Sequence, residues 1–220
     1  MLKNILSYII PIKIYKQASK ISTRLEITLY NGKLLINSKN TNYSYGSLQR
    51  ILRRGLQDIS YETILQMKEI LVLGVAGGSV IKTLIDEINY RNQITGVEID
   101  AEIISLANTY FQLDQIQNLK LYIKNAIDFV KSNDKKYDLI IIDIFEDLHM
   151  PPFLFETPFT KNIITILKSK GIILFNTMVL NKEHKKRNDD YLQLFENSFF
   201  KIKKISNVEQ YNELIIIKSI

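Results

Sequence analysis

Short apolar runs alternate with helical segments along most of this chain. Five runs are nearly continuous stretches of Ile, Leu and Val, at residues 70–75, 94–99, 119–123, 139–144 and 172–176. The intervening segments have a helical pattern, at residues 80–88, 101–110, 126–131 and 159–167. Continuous apolar runs are typical of strands that helices cover on both faces, so the pattern predicts βα units and a parallel sheet.

The C-terminal part of the chain departs from this alternation. A helix is predicted at residues 188–199, followed by strands at residues 202–205 and 214–218. These two strands are close enough in sequence to pair antiparallel. The whole pattern predicts an α/β fold with a doubly wound, mostly parallel seven-stranded sheet and a C-terminal antiparallel hairpin.

The N-terminal segment has a β pattern instead. Apolar runs lie at residues 12–15, 25–30 and 33–37, and Asn31-Gly32 between the last two is a strong hairpin signal. A helical pattern then covers residues 43–65, where apolar residues recur at spacings of three and four. We therefore predict a small β-hairpin extension over residues 1–42 and a main domain over residues 43–220.

Composition removes several classes of chemistry. The chain has no cysteine and two histidines far apart, which excludes disulfides and thiolate catalysis and leaves no expected metal site. Apolar runs stay well short of the ~20 residues that span a bilayer, so we expect a cytoplasmic location without a membrane partner. The net charge of +6 is interpreted as background composition, so no nucleic-acid partner is expected.

A turn rich in small residues follows the first predicted strand of the main domain. It reads Gly74-Val75-Ala76-Gly77-Gly78-Ser79 and leads directly into a helix. Such a turn lets a ligand approach the backbone, and the helix N-terminus offers free N–H groups. Ala76 and Ser79 stand where a dinucleotide fingerprint needs glycine, which disfavours a nicotinamide cofactor. The alternative is a turn that merely packs helix on strand.

An acidic pair ends the second strand of the main domain. Glu98 lies 24 residues after Gly74, where a carboxylate can accept hydrogen bonds from both hydroxyls of a ribose. Its alternative role is that of a cap or first-turn acid for the next helix. Asp100 fits the role of helix cap better, because Asp is a preferred N-cap and directly precedes the helix.

Polar residues also end the third and fourth strands. Asn125, beside Ala126, either hydrogen-bonds an adenine amino group or caps the following helix. Asp143 ends a hydrophobic strand, where an unused carboxylate is costly, although a satisfied strand-end acid is the alternative. Glu146 follows in a loop and is either a site residue or an ordinary loop charge. These polar residues fall on one edge of the predicted sheet.

Together, the motifs of residues 37–176 resemble those of the spermidine synthase family, within the class I S-adenosylmethionine-dependent methyltransferase superfamily. The resemblance rests on the small-residue turn, on Val97-Glu98-Ile99-Asp100 and on the run 137–143. It implies a Rossmann-like methyltransferase fold and Asp143 facing the reacting amine. Tyr45 matches a tyrosine that closes the substrate side. The implied nucleoside-site residues are Gly74, Ala76, Gly77, Gly78, Glu98, Ile99, Asn125 and Ala126.

Departures from the family pattern concern its acids. Gly77 replaces the aspartate that grips the amino group of decarboxylated S-adenosylmethionine. Thr41-Asn42 replaces an acidic pair, Asn125 replaces an adenine-contacting acid, and Glu146 is the second carboxylate of the Asp-x-x-Asp loop. A diamine needs several carboxylates to offset its charges, and this chain lacks some of them.

These departures favour S-adenosylmethionine-dependent methyl transfer to an unknown acceptor, with Asp143 as acceptor-orienting base and Glu146 and Tyr45 beside it. The alternatives are aminopropyl transfer from decarboxylated S-adenosylmethionine, which makes a polyamine, and a nucleoside-binding relative without catalysis. The expected partner is a small-molecule acceptor such as an amine, and the resemblance is compatible with a homodimer.

Overall fold

The computed structural model describes residues 2–38, 42–44, 46–147, 149–195 and 198–220. Its strands are β1 (Ile12–Ser19), β2 (Thr23–Tyr30), β3 (Lys33–Asn37), β4 (Asn42–Ser44), β5 (Glu69–Leu73), β6 (Gln93–Glu98), β7 (Leu119–Ile123), β8 (Tyr137–Ile142), β9 (Leu167–Met178), β10 (Phe200–Ile205) and β11 (Asn212–Ser219). Its α-helices are α1 (Leu2–Leu6), α2 (Ser47–Ile59), α3 (Tyr61–Gln66), α4 (Ser79–Lys82), α5 (Ala101–Phe111), α6 (Ala126–Lys131), α7 (Thr157–Thr165) and α8 (Lys182–Gln193), and α4 continues as a π-helical segment at Thr83–Glu87.

The main sheet has seven strands in the order β10-β11-β9-β8-β5-β6-β7. The strands from β9 to β7 in this order are parallel, while β11 runs antiparallel to both β9 and β10. This confirms the predicted α/β, doubly wound, Rossmann-like fold and its C-terminal hairpin. The strand order reverses between β5 and β8, and ligands of open α/β sheets bind at the carboxyl ends beside such a reversal.

Two hydrophobic layers explain why the strands of the sheet are continuously apolar. In β5, Ile70 and Val72 pack into the layer that contains α2 and α4, whereas Leu71 and Leu73 pack into the layer beneath α6 and α7. Alternate side chains of a strand point to opposite faces, so both sets must be apolar when both faces are covered.

The N-terminal extension is larger than the predicted hairpin. It is a four-stranded antiparallel sheet in the order β1-β2-β3-β4, with the β2–β3 turn at the expected Asn31-Gly32. Strand β4 spans the predicted boundary between residues 42 and 43, and the division into residues 1–42 and 43–220 stays a prediction. Residues 2–38 carry six Lys or Arg and one acid, Glu26, so most of the net charge of +6 belongs to this extension.

The helix predicted over residues 43–65 is interrupted. Its first residues form β4, and the rest is divided between α2 and α3 at Ser60, which has a positive φ of 80° and caps α3 through a hydrogen bond from Thr63 N. Helix α8 likewise begins at Lys182, six residues before the predicted start, because Asn181 caps it by accepting from His184 N at 2.8 Å. Side-chain caps rather than apolar periodicity therefore set these helix ends.

Candidate active site

A cavity of about 510 Å³ opens at the carboxyl edge of the parallel strands. This volume lies in the range of ~300–1,000 Å³ that is usual for small-molecule sites. Eight predicted site residues line it: Gly74, Ala76, Glu98, Ile99, Asn125, Ala126, Asp143 and Glu146. Gly77 and Gly78 are buried and do not line the cavity wall, and Tyr45 lies outside the described residues.

Gly74 lets the ends of β5 and β8 meet at the floor of the cavity. Its φ is +87°, and a Cβ at this position would overlap the backbone carbonyl oxygen of Asp143. Gly78, with φ of +77°, begins α4, and a Cβ there would lie 2.6 Å from Leu113 Cδ1. The glycines predicted for the approach of a ligand thus also allow close packing of the protein itself.

Glu98 holds the small-residue turn through its carboxylate. Oε2 accepts from Val75 N at 3.1 Å and Ala76 N at 3.0 Å, while Oε1 accepts from Ile99 N at 2.9 Å and Asp100 N at 3.1 Å. Burial raises the pKa of Glu98, and the four donors oppose this rise. They match the roughly four lone-pair sites of a carboxylate, so a ribose hydroxyl at Glu98 would have to displace one of them.

Asp100 is the N-cap of α5, as predicted. Its Oδ1 accepts from Glu102 N at 3.0 Å and Ile103 N at 3.3 Å. Its Oδ2 also accepts from Ser19 Oγ at 2.5 Å and Ser22 Oγ at 2.7 Å, a link that the sequence did not reveal. This link fixes the β1–β2 turn over the cavity, where Ile21 and Ser22 form part of the wall.

Asn125 caps α6, which was one of its two predicted roles. Its Oδ1 accepts from Ile127 N at 2.8 Å. A carbonyl oxygen has a second lone pair, and Nδ2 has no acceptor among the described residues, so the amide can still pair with the edge of a base. The half-exposed side chain of Ile99 offers an apolar surface on the same wall.

Asp143 directly follows β8 and lines the cavity. Burial raises its pKa to about 6; the hydrogen bond from Asn176 opposes this rise, and the charge of Glu98 adds to it. Asn176 Nδ2 donates to Asp143 Oδ1 at 2.8 Å, and Asn212 Nδ2 donates to Asn176 Oδ1 at 3.0 Å. A carboxyl group with this pKa is ionised at neutral pH and is close enough to neutrality to act as a proton acceptor.

Asn176 and Asn212 are site residues that the sequence reasoning missed. Asn176 stands at the end of the predicted strand 172–176, so the rule that selected Asp143 at the end of its strand would also have selected Asn176. Asn212 begins β11 and lies opposite Met178 in the antiparallel ladder. No signal in the sequence brings Asn212 to the site, because its place depends on the register of β11.

The fold and this cavity define the class: a Rossmann-like α/β protein of the kind that class I methyltransferases and spermidine synthases share. A family model described as the spermine/spermidine synthase domain matches residues 50–217. The chain belongs to this family, which confirms the resemblance seen in its motifs.

Individual relatives agree with this assignment. The chain is 30% identical over 147 residues to a polyamine aminopropyltransferase of Clostridioides difficile. This alignment covers 60% of this chain and 50% of the relative. A probable spermidine synthase from Corynebacterium glutamicum has a similar fold, with a TM-score of 0.74, 17% identity and coverage of 94% and 79% of the two chains. Human methyltransferase-like protein 13 in complex with SAH also has a similar fold, with a TM-score of 0.64, 22% identity and coverage of 80% and 83% of the two chains. The chain spans about half the length of the curated relatives that it matches first.

Proposed function

We propose that this chain transfers an aminopropyl group from decarboxylated S-adenosylmethionine to an amine. The observation that carries the proposal is the acidic character of the cavity. Five carboxylates line it, and Lys124 is the single cation among its described lining residues. An anionic site within a basic protein favours cationic ligands, and both the sulfonium donor and a protonated amine are cations.

The carboxylates also bear on the choice of donor. S-adenosylmethionine carries an α-carboxylate, which an acidic cavity disfavours, whereas the decarboxylated form lacks this group. Polyamine aminopropyltransferases among the relatives support this alternative over the methyl transfer that the sequence departures favoured. Gly77, in place of an aspartate that grips the donor's amino group, is the observation that keeps methyl transfer as the second candidate.

The reaction is a single displacement. The acceptor nitrogen attacks the methylene carbon beside the sulfonium, the carbon–sulfur bond breaks, and its electron pair remains on sulfur in the thioether product. The acceptor nitrogen loses one proton, which Asp143 accepts. Positioning the two reactants accounts for much of the rate in such a step. The ionised form of Asp143 also stabilises the positive charge that develops on the nitrogen.

The nucleoside is proposed to lie along the ends of β5, β6 and β7. Gly74 and Ala76 would face its sulfonium side, and Glu98 would accept from the ribose by exchanging a backbone donor. Asn125 would pair with the adenine edge between Ile99 and Ala126. Gly77 and Gly78 would contribute through the shape of the turn. Tyr45 and Glu146 are proposed to face the acceptor together with Asp143.

Calorimetric titration with S-adenosylmethionine and with its decarboxylated form tests the donor. We expect the decarboxylated form to bind more tightly and to yield 5′-methylthioadenosine when an amine is added. Tighter binding of S-adenosylmethionine with release of S-adenosylhomocysteine would replace the proposal by methyl transfer. Binding without either product would indicate a relative that has lost catalysis.

Two further predictions concern the location of the protein and its oligomeric state. Each helix of the described part of the chain is too short or too polar to span a bilayer. The cytoplasmic location stays a prediction, and so does the homodimer, which light scattering of the purified chain would test.

A further inference from the structure

The carboxylates of the cavity are confined to one side. They are Glu98, Asp100, Asp143, Glu146 and Asp147, and all of them lie at the ends of β6 and β8 or in the loop after β8. This distribution leaves the side formed by α2, β9 and β11 to other residue types. The charge that an acceptor meets therefore depends on which part of the cavity it occupies.

Three of the five carboxylates are engaged by the protein. Four backbone N–H groups donate to Glu98, and two backbone N–H groups and two serine hydroxyls donate to Asp100. Asp147 accepts from Ser38 Oγ at the end of the N-terminal sheet. Asp143 has one oxygen bonded to Asn176, and the Glu146 side chain bonds to no described residue. Asp143 and Glu146 therefore remain for the reacting groups.

The opposite wall has no carboxylate among the described residues. Leu48 and Ile51 of α2 and Met178 at the end of β9 give it an apolar surface, and Asn212 is its uncharged polar member. The sequence agrees, since no Asp or Glu occurs between Glu26 and Asp58. The sequence that leads into α2 therefore contains no acid.

The acids near this wall are engaged elsewhere. Glu209 pairs with Arg50 at 2.7 Å, and Glu213 is buried and accepts from Asn188 and Ser206. A cation lies behind the wall instead, because Arg187 Nη2 donates to the carbonyl oxygen of Met178 at 2.9 Å. No carboxylate among the described residues pairs with Arg187, which stacks on Phe155 with its Cζ 4.0 Å from the ring centroid.

We propose that the acceptor is an amine with a single basic nitrogen and an uncharged, largely apolar remainder. This inference rests on the proposed aminopropyl transfer. The basic nitrogen of the acceptor lies between Asp143 and Glu146, and the apolar remainder of the acceptor covers Leu48, Ile51 and Met178. A second ammonium group on that wall would lose its hydration without gaining a carboxylate. Linear diamines are therefore the poorer acceptors.

Butylamine and 1,4-diaminobutane form a matched pair of probes, since they differ only in the distal ammonium group. Their dissociation constants are measured by calorimetry with 5′-methylthioadenosine held at saturating concentration, so that turnover is not required. We expect butylamine to bind at least about tenfold more tightly. Equal or tighter binding of the diamine, or no binding of either amine, overturns the inference. Amine binding without any transfer from the decarboxylated donor removes the proposed function and leaves the acceptor class standing.

A variant pair tests the wall itself. Leu48→Glu introduces a carboxylate on the apolar side, and Leu48→Gln has nearly the same shape without the charge. Relative to Leu48→Gln, we expect Leu48→Glu to improve binding of 1,4-diaminobutane about tenfold and to leave that of butylamine little changed. Identical amine preference in the two variants would place the distal group elsewhere and overturn the inference.

Discussion

Asn176 Nδ2 donates to Asp143 Oδ1 at 2.8 Å, and this bond joins the ends of β9 and β8 at the floor of the cavity. Asn176 is fully buried, and its own oxygen accepts from Asn212. The amide is thereby oriented with its donor towards the carboxylate. A donor in this place favours the ionised form of Asp143, which is the form that can accept a proton.

Replacing Asn176 by Ala should move the pH dependence of the reaction. Without the donor the pKa of Asp143 rises further, so the acidic limb of the pH–rate profile shifts to higher pH. Asn212→Ala, which removes only the more distant bond, should shift the limb less. A profile of unchanged midpoint in an Asn176→Ala protein of lower stability would make Asn176 a purely structural residue.

Asp143→Asn should reduce turnover by about 10²- to 10⁴-fold, the usual contribution of a general base. The amide preserves the shape of the side chain but accepts no proton, so nucleoside affinity should change little. Single-turnover kinetics and calorimetry on the same protein separate the two effects. Asp134→Asn, at an exposed position, serves as the matched control. Undiminished turnover in Asp143→Asn would remove Asp143 from the mechanism.

The same carboxyl group should make stability depend on pH. Its pKa is about 6 in the fold, against roughly 3.9 in an unfolded chain, so the folded state binds more protons between these values. The unfolding free energy of the wild type should therefore fall, relative to that of Asp143→Asn, as pH rises from about 4 to about 6, by an amount on the order of 2 kcal/mol. Urea titrations at several pH values measure this difference. A constant difference across the window would show that burial does not raise the pKa of Asp143.

Glu98→Gln should loosen the small-residue turn. Glutamine offers one acceptor oxygen, and its NH₂ group would face backbone N–H groups that now donate to a carboxylate. We expect a loss of about 2 kcal/mol in unfolding free energy and weaker nucleoside binding. Chemical denaturation and calorimetry measure the two effects, with Glu62→Gln at an exposed position as the control. Unchanged stability would contradict the four-donor arrangement.

Much of the fold could be predicted because the local sequence of each parallel strand already indicates a buried strand. Strands such as β5 and β8 are buried on both faces, so they read as continuous apolar runs. The ends of the helices were harder to predict from the sequence. Ser60 interrupts a periodic helical pattern through its backbone conformation, and α8 begins at an Asn181 cap in a polar stretch without apolar periodicity.

Site residues on the parallel strands could be predicted for a related reason. Glu98, Asn125 and Asp143 each follow an apolar run, and parallel strands bring such positions to one edge. Asn212 could not be found in this way, since β11 is antiparallel and contributes its first residue to that edge. The bonds from Ser19 and Ser22 to Asp100 were equally hidden, because they join segments about eighty positions apart in the chain.

The sequence by itself determined the class of fold, the family and the carboxylates at the strand ends, since these depend on local patterns of hydrophobicity and on short motifs. Only the tertiary structure decided how those carboxylates are used. It engages Glu98 with four backbone donors, ties Asp100 to the N-terminal sheet and sets Asn176 against Asp143. Whether a buried acid is satisfied by the protein or left for a ligand depends on hydrogen-bond partners distant in sequence, and chain packing alone brings those partners together.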